Sequence, residues 1–125
     1  KAILLTIGPL SAKKKLATFI KKLTDSSFLL CATKHSHAFL KQHGVNTTLV
    51  YKISETNEKP NLADLLKENF FDIIINIPTA SNGKSKEFTD GQKIRQIAVD
   101  NGTTLITDIV LAQRLLSNLA TSLKT

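Results

Sequence analysis

Short, mostly apolar runs alternate along the chain with segments in which apolar residues recur every three or four positions. Five such runs stand out, at residues 2–7, 28–32, 47–53, 72–78 and 103–107. Uninterrupted apolar runs bounded by glycine, proline or polar residues are typical of strands buried on both faces. The pattern therefore predicts five buried β-strands.

The segments between these runs have helical periodicity. In the first of them, Leu16, Ile20 and Leu23 share one face and lysines occupy the other. Polar residues that commonly cap helices precede two later segments, Asn61 and Asp108, and Asp90 is interpreted as a cap in the same way. The predicted helices cover residues 13–23, 36–44, 61–71, 90–102 and 108–120.

Strands that alternate with helices predict a parallel sheet with helices on both faces, in one α/β domain spanning residues 1–125. In such sheets, ligands bind outside the carboxyl ends of the strands, near the point where strand order reverses. Two long polar loops, residues 54–60 and 79–89, each follow a strand. We therefore expect both loops to lie at the ligand-binding edge.

Composition narrows the class of protein. A chain of 125 residues and 13.7 kDa suits one domain with a real core. No apolar run approaches the roughly 20 residues that span a bilayer, so no membrane association is expected. A lone Cys31 excludes an internal disulfide and favours a reducing, cytoplasmic location. A chain that begins with Lys1 and contains no methionine is expected to be excised from a longer one.

The charge favours an anionic partner. Seventeen basic and 10 acidic residues give a net charge of +7. Nucleic-acid binding would also call for exposed stacking aromatics, but aromatic residues make up only 6% of the chain and the phenylalanines fit a core. A small phosphorylated ligand is favoured over nucleic acid.

The stretch CATKHSHAFL, residues 31–40, carries the densest polar chemistry. Thr33 and Ser36 flank the predicted start of a helix, where free backbone amides and the helix dipole favour an anion. Lys13 and Lys52 follow neighbouring strands and can converge on the same charge. The alternative is that Thr33 or Ser36 only caps the helix and that the lysines are solvated.

Metal binding and catalysis are less favoured. His35 and His37 lie two residues apart and so diverge on a helix, and Lys34 would repel a cation. Cys31 falls inside an apolar strand, where cysteine is usually a small core residue. Since Asp90 is interpreted as a helix cap, the residues favour binding over acid–base chemistry and predict neither a metal nor a cofactor.

The ordered set of segments AILLTI, LLCATKHSHAFL, VYKI, FDIIINIPT, TDGQKIRQIAVDNG and LIT resembles the methylglyoxal synthase-like domain. It most resembles the version at the carboxyl end of the large chain of carbamoyl phosphate synthetase. The resemblance implies a three-layer α/β/α fold with a five-stranded parallel sheet of order 3-2-1-4-5. It also implies an allosteric unit that binds small effectors such as nucleoside monophosphates or, in urea-cycle enzymes, an acylated amino acid.

The resemblance also implies a set of site residues. A lysine, a phosphate-binding turn and a second lysine of the family fall on Lys13, residues 32–36 and Lys52, with His35 where the family has glycine. The complete candidate set for effector or phosphate binding is Lys13, Thr33, Lys34, His35, Ser36, Lys52, Asn76, Pro78, Thr79, Asp90 and Thr107.

The leading hypothesis is a non-catalytic effector-binding domain. Its expected partners are a small anionic effector, the remaining domains of a parent synthetase chain and that enzyme's glutaminase subunit. One alternative is a divergent methylglyoxal synthase or related phosphate lyase. The resemblance implies that such enzymes carry an aspartate after strand one and a catalytic aspartate after strand three, but the corresponding loops GPLSA and SETNEK contain no aspartate. A second alternative is an interaction module that has lost its ligand.

Overall fold

A computed structural model describes residues 1–79 and 86–122, with only the backbone for residues 86–89. Five strands alternate with five helices in this part of the chain. The strands are β1 (Ala2–Ile7), β2 (Leu29–Ala32), β3 (Thr48–Leu49), β4 (Ile73–Ile77) and β5 (Thr104–Ile106). The helices are α1 (Leu10–Lys21), α2 (Lys34–Gln42), α3 (Leu62–Lys67), α4 (Lys86–Asn101) and α5 (Ile109–Ser122).

The strands form one parallel sheet in the order β3-β2-β1-β4-β5. The central strand is β1, in which Leu5 pairs with Ala32 of β2 and Ile75 of β4. This arrangement confirms the parallel sheet and the strand order that the resemblance implied. The order reverses between β1 and β4, which marks the expected ligand-binding point.

Alternate residues of β1 separate the core into two layers. Ile3, Leu5 and Ile7 face α1, α2 and α5, and this side of the sheet is called the α1 face. Leu4 faces α3 and α4 in a second cluster, on the side called the α4 face. Helices therefore cover both faces, as the apolar strands predict.

Strand β3 is shorter than the predicted run 47–53. The last hydrogen bond to β2 runs from the Val50 amide to the Ala32 carbonyl at 3.0 Å, and Tyr51 then forms an isolated bridge with Asn61. The side-chain amide of Asn61 donates to the carbonyls of Lys52 (2.9 Å) and Glu55 (2.8 Å). These bonds tie the segment to the start of α3, where the apolar pattern alone predicted a continued strand.

The start of α4 also differs from the prediction. The helix begins at Lys86, so residues 86–89 of the predicted loop 79–89 are helical and Asp90 is not an N-cap. The apolar period used to place the boundary begins at Ile94, so it gave no signal for the earlier turns. Residues 80–85 of that loop lie outside the described part of the chain.

Two other predicted caps are confirmed. The side-chain oxygen of Asn61 accepts from the amide of Ala63 at 2.8 Å, and a carboxylate oxygen of Asp108 accepts from the amide of Leu111 at 3.0 Å. Across residues 1–79 and 86–122, none of the helices has the length and apolar character that crossing a bilayer would require.

Candidate functional site

A cleft of about 290 Å³ opens at the carboxyl ends of the strands, where the strand order reverses. The start of α2 forms one side, here called the α2 wall. Lys13 of α1 lines the cleft from the same face of the sheet, the α1 face. The other side, the α4 wall, is formed by Asp90, Gly91 and Arg95 of α4 together with Asn76 of β4.

All but two of the candidate residues predicted from the sequence line this cleft. They are Lys13, Thr33, His35, Ser36, Lys52, Asn76, Pro78, Thr79 and Asp90. The two exceptions are Lys34 and Thr107, which are exposed and are not among the lining residues. Lys34 occupies the first turn of α2, and Thr107 follows β5.

The α2 wall presents backbone amides. Thr33 is the N-cap of α2, and the first backbone bond of the helix runs from the His37 amide to the Thr33 carbonyl at 2.8 Å. The Thr33 side chain makes no capping hydrogen bond, so its hydroxyl does not compete for the first-turn amides. Free amides at a helix N-terminus, together with the helix dipole, attract an anion.

Ser36 has a different role from the one expected. Its hydroxyl accepts from the amide of Ile7 at 3.0 Å and donates to the carbonyl of the same residue at 3.2 Å. A serine hydroxyl has one proton, which is already used in this arrangement. Ser36 is also 2% exposed, so it joins α2 to the end of β1 and has no proton to donate to an anion.

Gly8 allows the ends of β1 and β4 to meet at the floor of the cleft. Its amide donates to the Ile77 carbonyl at 2.9 Å. A Cβ atom at this position would lie 2.1 Å from the Thr79 hydroxyl oxygen, which is far inside contact distance. A side chain at position 8 would therefore force Thr79 to move, and glycine avoids this clash.

A chain of hydrogen bonds crosses the α4 wall. Asn76, which is buried, donates from its side-chain nitrogen to the Thr6 hydroxyl oxygen at 2.7 Å. Its side-chain oxygen accepts from the Nη1 of Arg95, also at 2.7 Å. These bonds connect β1, β4 and α4 and hold the Arg95 guanidinium against the cleft.

Gly91 lies in the interior of α4, where glycine costs about 1 kcal/mol relative to alanine. A Cβ atom there would lie 3.1 Å from Arg95 Nη1 and 3.9 Å from the side-chain nitrogen of Asn76. The missing side chain therefore leaves room for the guanidinium to reach Asn76.

Asp90 is a buried carboxylate in the α4 wall, 4% exposed. One of its oxygens accepts from the Ser54 hydroxyl at 2.8 Å, which links α4 to the segment after β3. The bonds from Asn61 described above hold the same segment and so place Lys52 at the cleft.

Among the described lining residues, cationic side chains outnumber acidic ones. The described lining residues include the cations Lys13, Lys52 and Arg95, whereas Asp90 is the one acidic residue among them. An anion entering the cleft would therefore find an excess of positive charge from side chains, reinforced by the start of α2.

Cys31, His37 and His43 are not among the residues that line the cleft. Cys31 is 1% exposed, and burial raises the pKa of its thiol to about 11, which keeps it protonated and unreactive at neutral pH. His37 Nδ1 lies 2.7 Å from the Thr47 hydroxyl oxygen, and His43 stacks on Phe39. Within residues 1–79 and 86–122, no group of three or more ligating side chains is placed to hold a metal ion.

The candidate set omitted several lining residues: Thr6, Ile7, Gly8, Ile77, Gly91, Ile94 and Arg95. Two features of the sequence could have indicated some of these residues. Thr6 and Asn76 are isolated polar residues in apolar strands, and they pair in register. A glycine inside a helical pattern often has a packing or functional reason, and Gly91 has one.

The fold and the cleft together define a small α/β domain with a cleft at the switch point of a doubly wound parallel sheet. The chain belongs to the MGS-like domain family, whose model matches residues 15–107. This match confirms the resemblance to the methylglyoxal synthase-like domain.

Curated relatives point to one group of enzymes. The chain is 35% identical over 81% of its length to the carbamoyl phosphate synthase large chain, C-terminal section, of Methanopyrus kandleri, and covers 18% of that protein. It is 34% identical over 82% of its length to the large chain of Agathobacter rectalis, covering 9% of it. It is 29% identical over 93% of its length to multifunctional protein URA2 of Saccharomyces cerevisiae, covering 6%. The chain thus spans less than a fifth of the length of these relatives.

Proposed function

We propose that this domain is the allosteric effector-binding unit of a carbamoyl phosphate synthase large chain and that it binds a small anion without catalysing a reaction. The observation that carries the proposal is the cleft at the strand ends, with three cationic side chains and one carboxylate among its described lining residues. The names of the relatives support the parent enzyme.

The anionic group of the ligand would sit at the α2 wall. Lys13, Lys52, the Thr33 hydroxyl and the first-turn amides of α2 supply positive charge and donors there. The rest of the molecule would contact Asn76 and Thr79. Phosphate suits this donor set, and a nucleoside monophosphate is the proposed type of effector. His35 adds bulk at the same turn and a positive charge when protonated.

Allostery requires the effector to prefer one arrangement of the domain relative to its neighbours. The proposed neighbours are the other domains of the parent chain and its glutaminase subunit, in a cytoplasmic enzyme of pyrimidine or arginine biosynthesis. The effector would then shift the activity of an ATP-dependent ligase whose reaction occurs elsewhere in the chain.

Isothermal titration of the domain with inorganic phosphate, nucleoside monophosphates and N-acetylglutamate tests effector binding. Lys13→Gln should weaken phosphate binding about tenfold, as expected when a charge-assisted hydrogen bond is lost. Lys67→Gln, an exposed lysine of α3 away from the cleft, is the matched control. Absence of binding by all ligands, with no ordered anion at Thr33 in a crystal, would favour an interaction module that has lost its ligand.

The buried carboxylate of Asp90 favours one competing function, a divergent methylglyoxal synthase. Proton abstraction from dihydroxyacetone phosphate needs a carboxylate in the cleft, and Asp90 is there, although one of its oxygens accepts from Ser54. Under our proposal, an assay with dihydroxyacetone phosphate gives no turnover. Turnover that Asp90→Ala abolishes would show that the domain is an enzyme.

A further inference from the structure

Two cations of the cleft reach it from opposite faces of the sheet. Lys13 belongs to α1, which packs on the α1 face, and Arg95 belongs to α4, which packs on the α4 face. Both residues line the same cleft. A ligand at the edge of the sheet would therefore lie between two separate positive charges.

Neither charge is neutralised by an acidic side chain in the part of the chain that the structure describes. The ion pair between Lys59 and Asp64 lies on the surface and involves neither Lys13 nor Arg95. Asp90, the nearest candidate in sequence, accepts from Ser54 and makes no ion pair with Arg95. A half-buried guanidinium without a carboxylate partner is a favourable site for an anion.

The position of Arg95 is fixed by its neighbours. Its Nη1 donates to Asn76 at 2.7 Å, and Asn76 is held in turn by Thr6. Glycine at position 91 leaves the space that the guanidinium occupies, since a Cβ atom would come within 3.1 Å of Nη1. A guanidinium has five donors, so one bond to Asn76 leaves the planar group able to bind a carboxylate or phosphate in addition.

We propose that the cleft selects a ligand with two anionic groups, one held by Lys13 and the start of α2 and the other by Arg95. This inference rests on the proposed function, because both groups occupy the effector cleft. In this scheme Arg95 is the residue that distinguishes a doubly anionic ligand from a singly anionic one, and Gly91 makes room for it.

Matched ligand pairs test the inference. One series consists of phosphonocarboxylates with one to four methylene groups between phosphonate and carboxylate, and the other of alkylphosphonates of the same chain lengths. At the chain length that spans the two cations, titration calorimetry should show the phosphonocarboxylate binding about tenfold more tightly than its alkylphosphonate, as a charge-assisted bidentate contact would give.

Variants test whether the tighter binding of the phosphonocarboxylate depends on Arg95. Arg95→Gln should abolish the difference within each pair while changing alkylphosphonate affinity less than about twofold. Lys13→Gln should weaken both series. Gly91→Ala should reduce the gain, because its Cβ atom would lie 3.1 Å from Arg95 Nη1 and displace the guanidinium. Alanine is the better helix former, so a loss there would not come from a weakened helix. Lys93→Gln, an exposed cation on the same helix, is the control and should leave the gain intact.

The possible failures are distinguishable. Failure of all phosphonates to bind would overturn the proposed function and this inference with it. Binding of alkylphosphonates with no gain at any chain length would overturn the inference alone. So would a gain that survives Arg95→Gln, or an equal loss for both series in that variant, which would assign Arg95 only to the positioning of Asn76.

Discussion

The two walls of the cleft are built in different ways. The α2 wall comes from a few consecutive residues and presents backbone amides at a helix start, with Thr33 as the N-cap. The α4 wall joins residues from three distant segments through side-chain hydrogen bonds, from Thr6 to Asn76 to Arg95. Under our proposal, the α2 wall holds any small anion, whereas the side chains of the α4 wall discriminate between ligands.

The largest expected effect concerns the attachment of the α2 wall to the sheet. Ser36→Ala removes both bonds to Ile7 and leaves a buried amide and a buried carbonyl without that partner. The free energy of unfolding should fall by about 2–4 kcal/mol, measured by urea denaturation. A variant of unchanged stability that loses phosphate binding would show instead that the hydroxyl serves the ligand.

The second prediction tests the packing of β2 on the α4 face of the sheet, where Cys31 lies, through the pH dependence of stability. The pKa of the Cys31 thiol is raised from 9.0 to about 11 by burial, so the folded state keeps a proton that the unfolded state loses. The stabilising contribution is complete below pH 9 and is lost as pH rises to 11. Relative to Cys31→Ala, the protein should lose about 2–3 kcal/mol across that window in urea denaturation. Parallel pH profiles for the two proteins would mean that the thiol is accessible.

A third prediction concerns the charge of the α4 wall. Asp90→Asn removes the described carboxylate from the cleft and keeps a group that can accept from Ser54. Phosphate should bind about fivefold more tightly, because a charge several ångströms away contributes roughly 1 kcal/mol. Calorimetry measures the change, and Asp64→Asn on the surface of α3 is the control. Weaker binding by Asp90→Asn would mean that Asp90 contacts the ligand directly.

The smallest effect is expected at the candidate residues outside the cleft. Lys34→Gln and Thr107→Val should each change phosphate affinity less than about twofold, because exposed charges and hydroxyls are screened by solvent. Lys13→Gln, in contrast, is expected to weaken phosphate binding roughly tenfold. If Lys34→Gln weakens phosphate binding as much as Lys13→Gln does, the exposed side of α2 also contributes to the site.

The α2 wall was predictable from the sequence because its residues are contiguous. A strand followed by Thr33 and a helix places polar groups at the ligand-binding edge by chain order alone. The use of the Ser36 hydroxyl was not predictable, since its partner Ile7 lies 29 residues away and offers only backbone atoms.

The α4 wall was harder to predict. Asp90 was expected as a helix cap because no apolar period marks residues 86–89, and the helix in fact starts at Lys86. Arg95 reaches Asn76 across Gly91, where a Cβ atom would crowd the guanidinium, and residue types alone do not reveal this packing relation. The sheet, in contrast, followed from the five apolar runs, and its strand order from the family resemblance.

The early end of β3 has a consequence for solubility. A parallel sheet exposes unpaired backbone groups along its outer strands, and long exposed edges can pair with strands of other chains. Here β3 is two residues long, and the chain beyond it bonds to the start of α3 through Tyr51 and Asn61. The same hydrogen bonds that place Lys52 at the cleft thus shorten the edge on which a second copy could template aggregation.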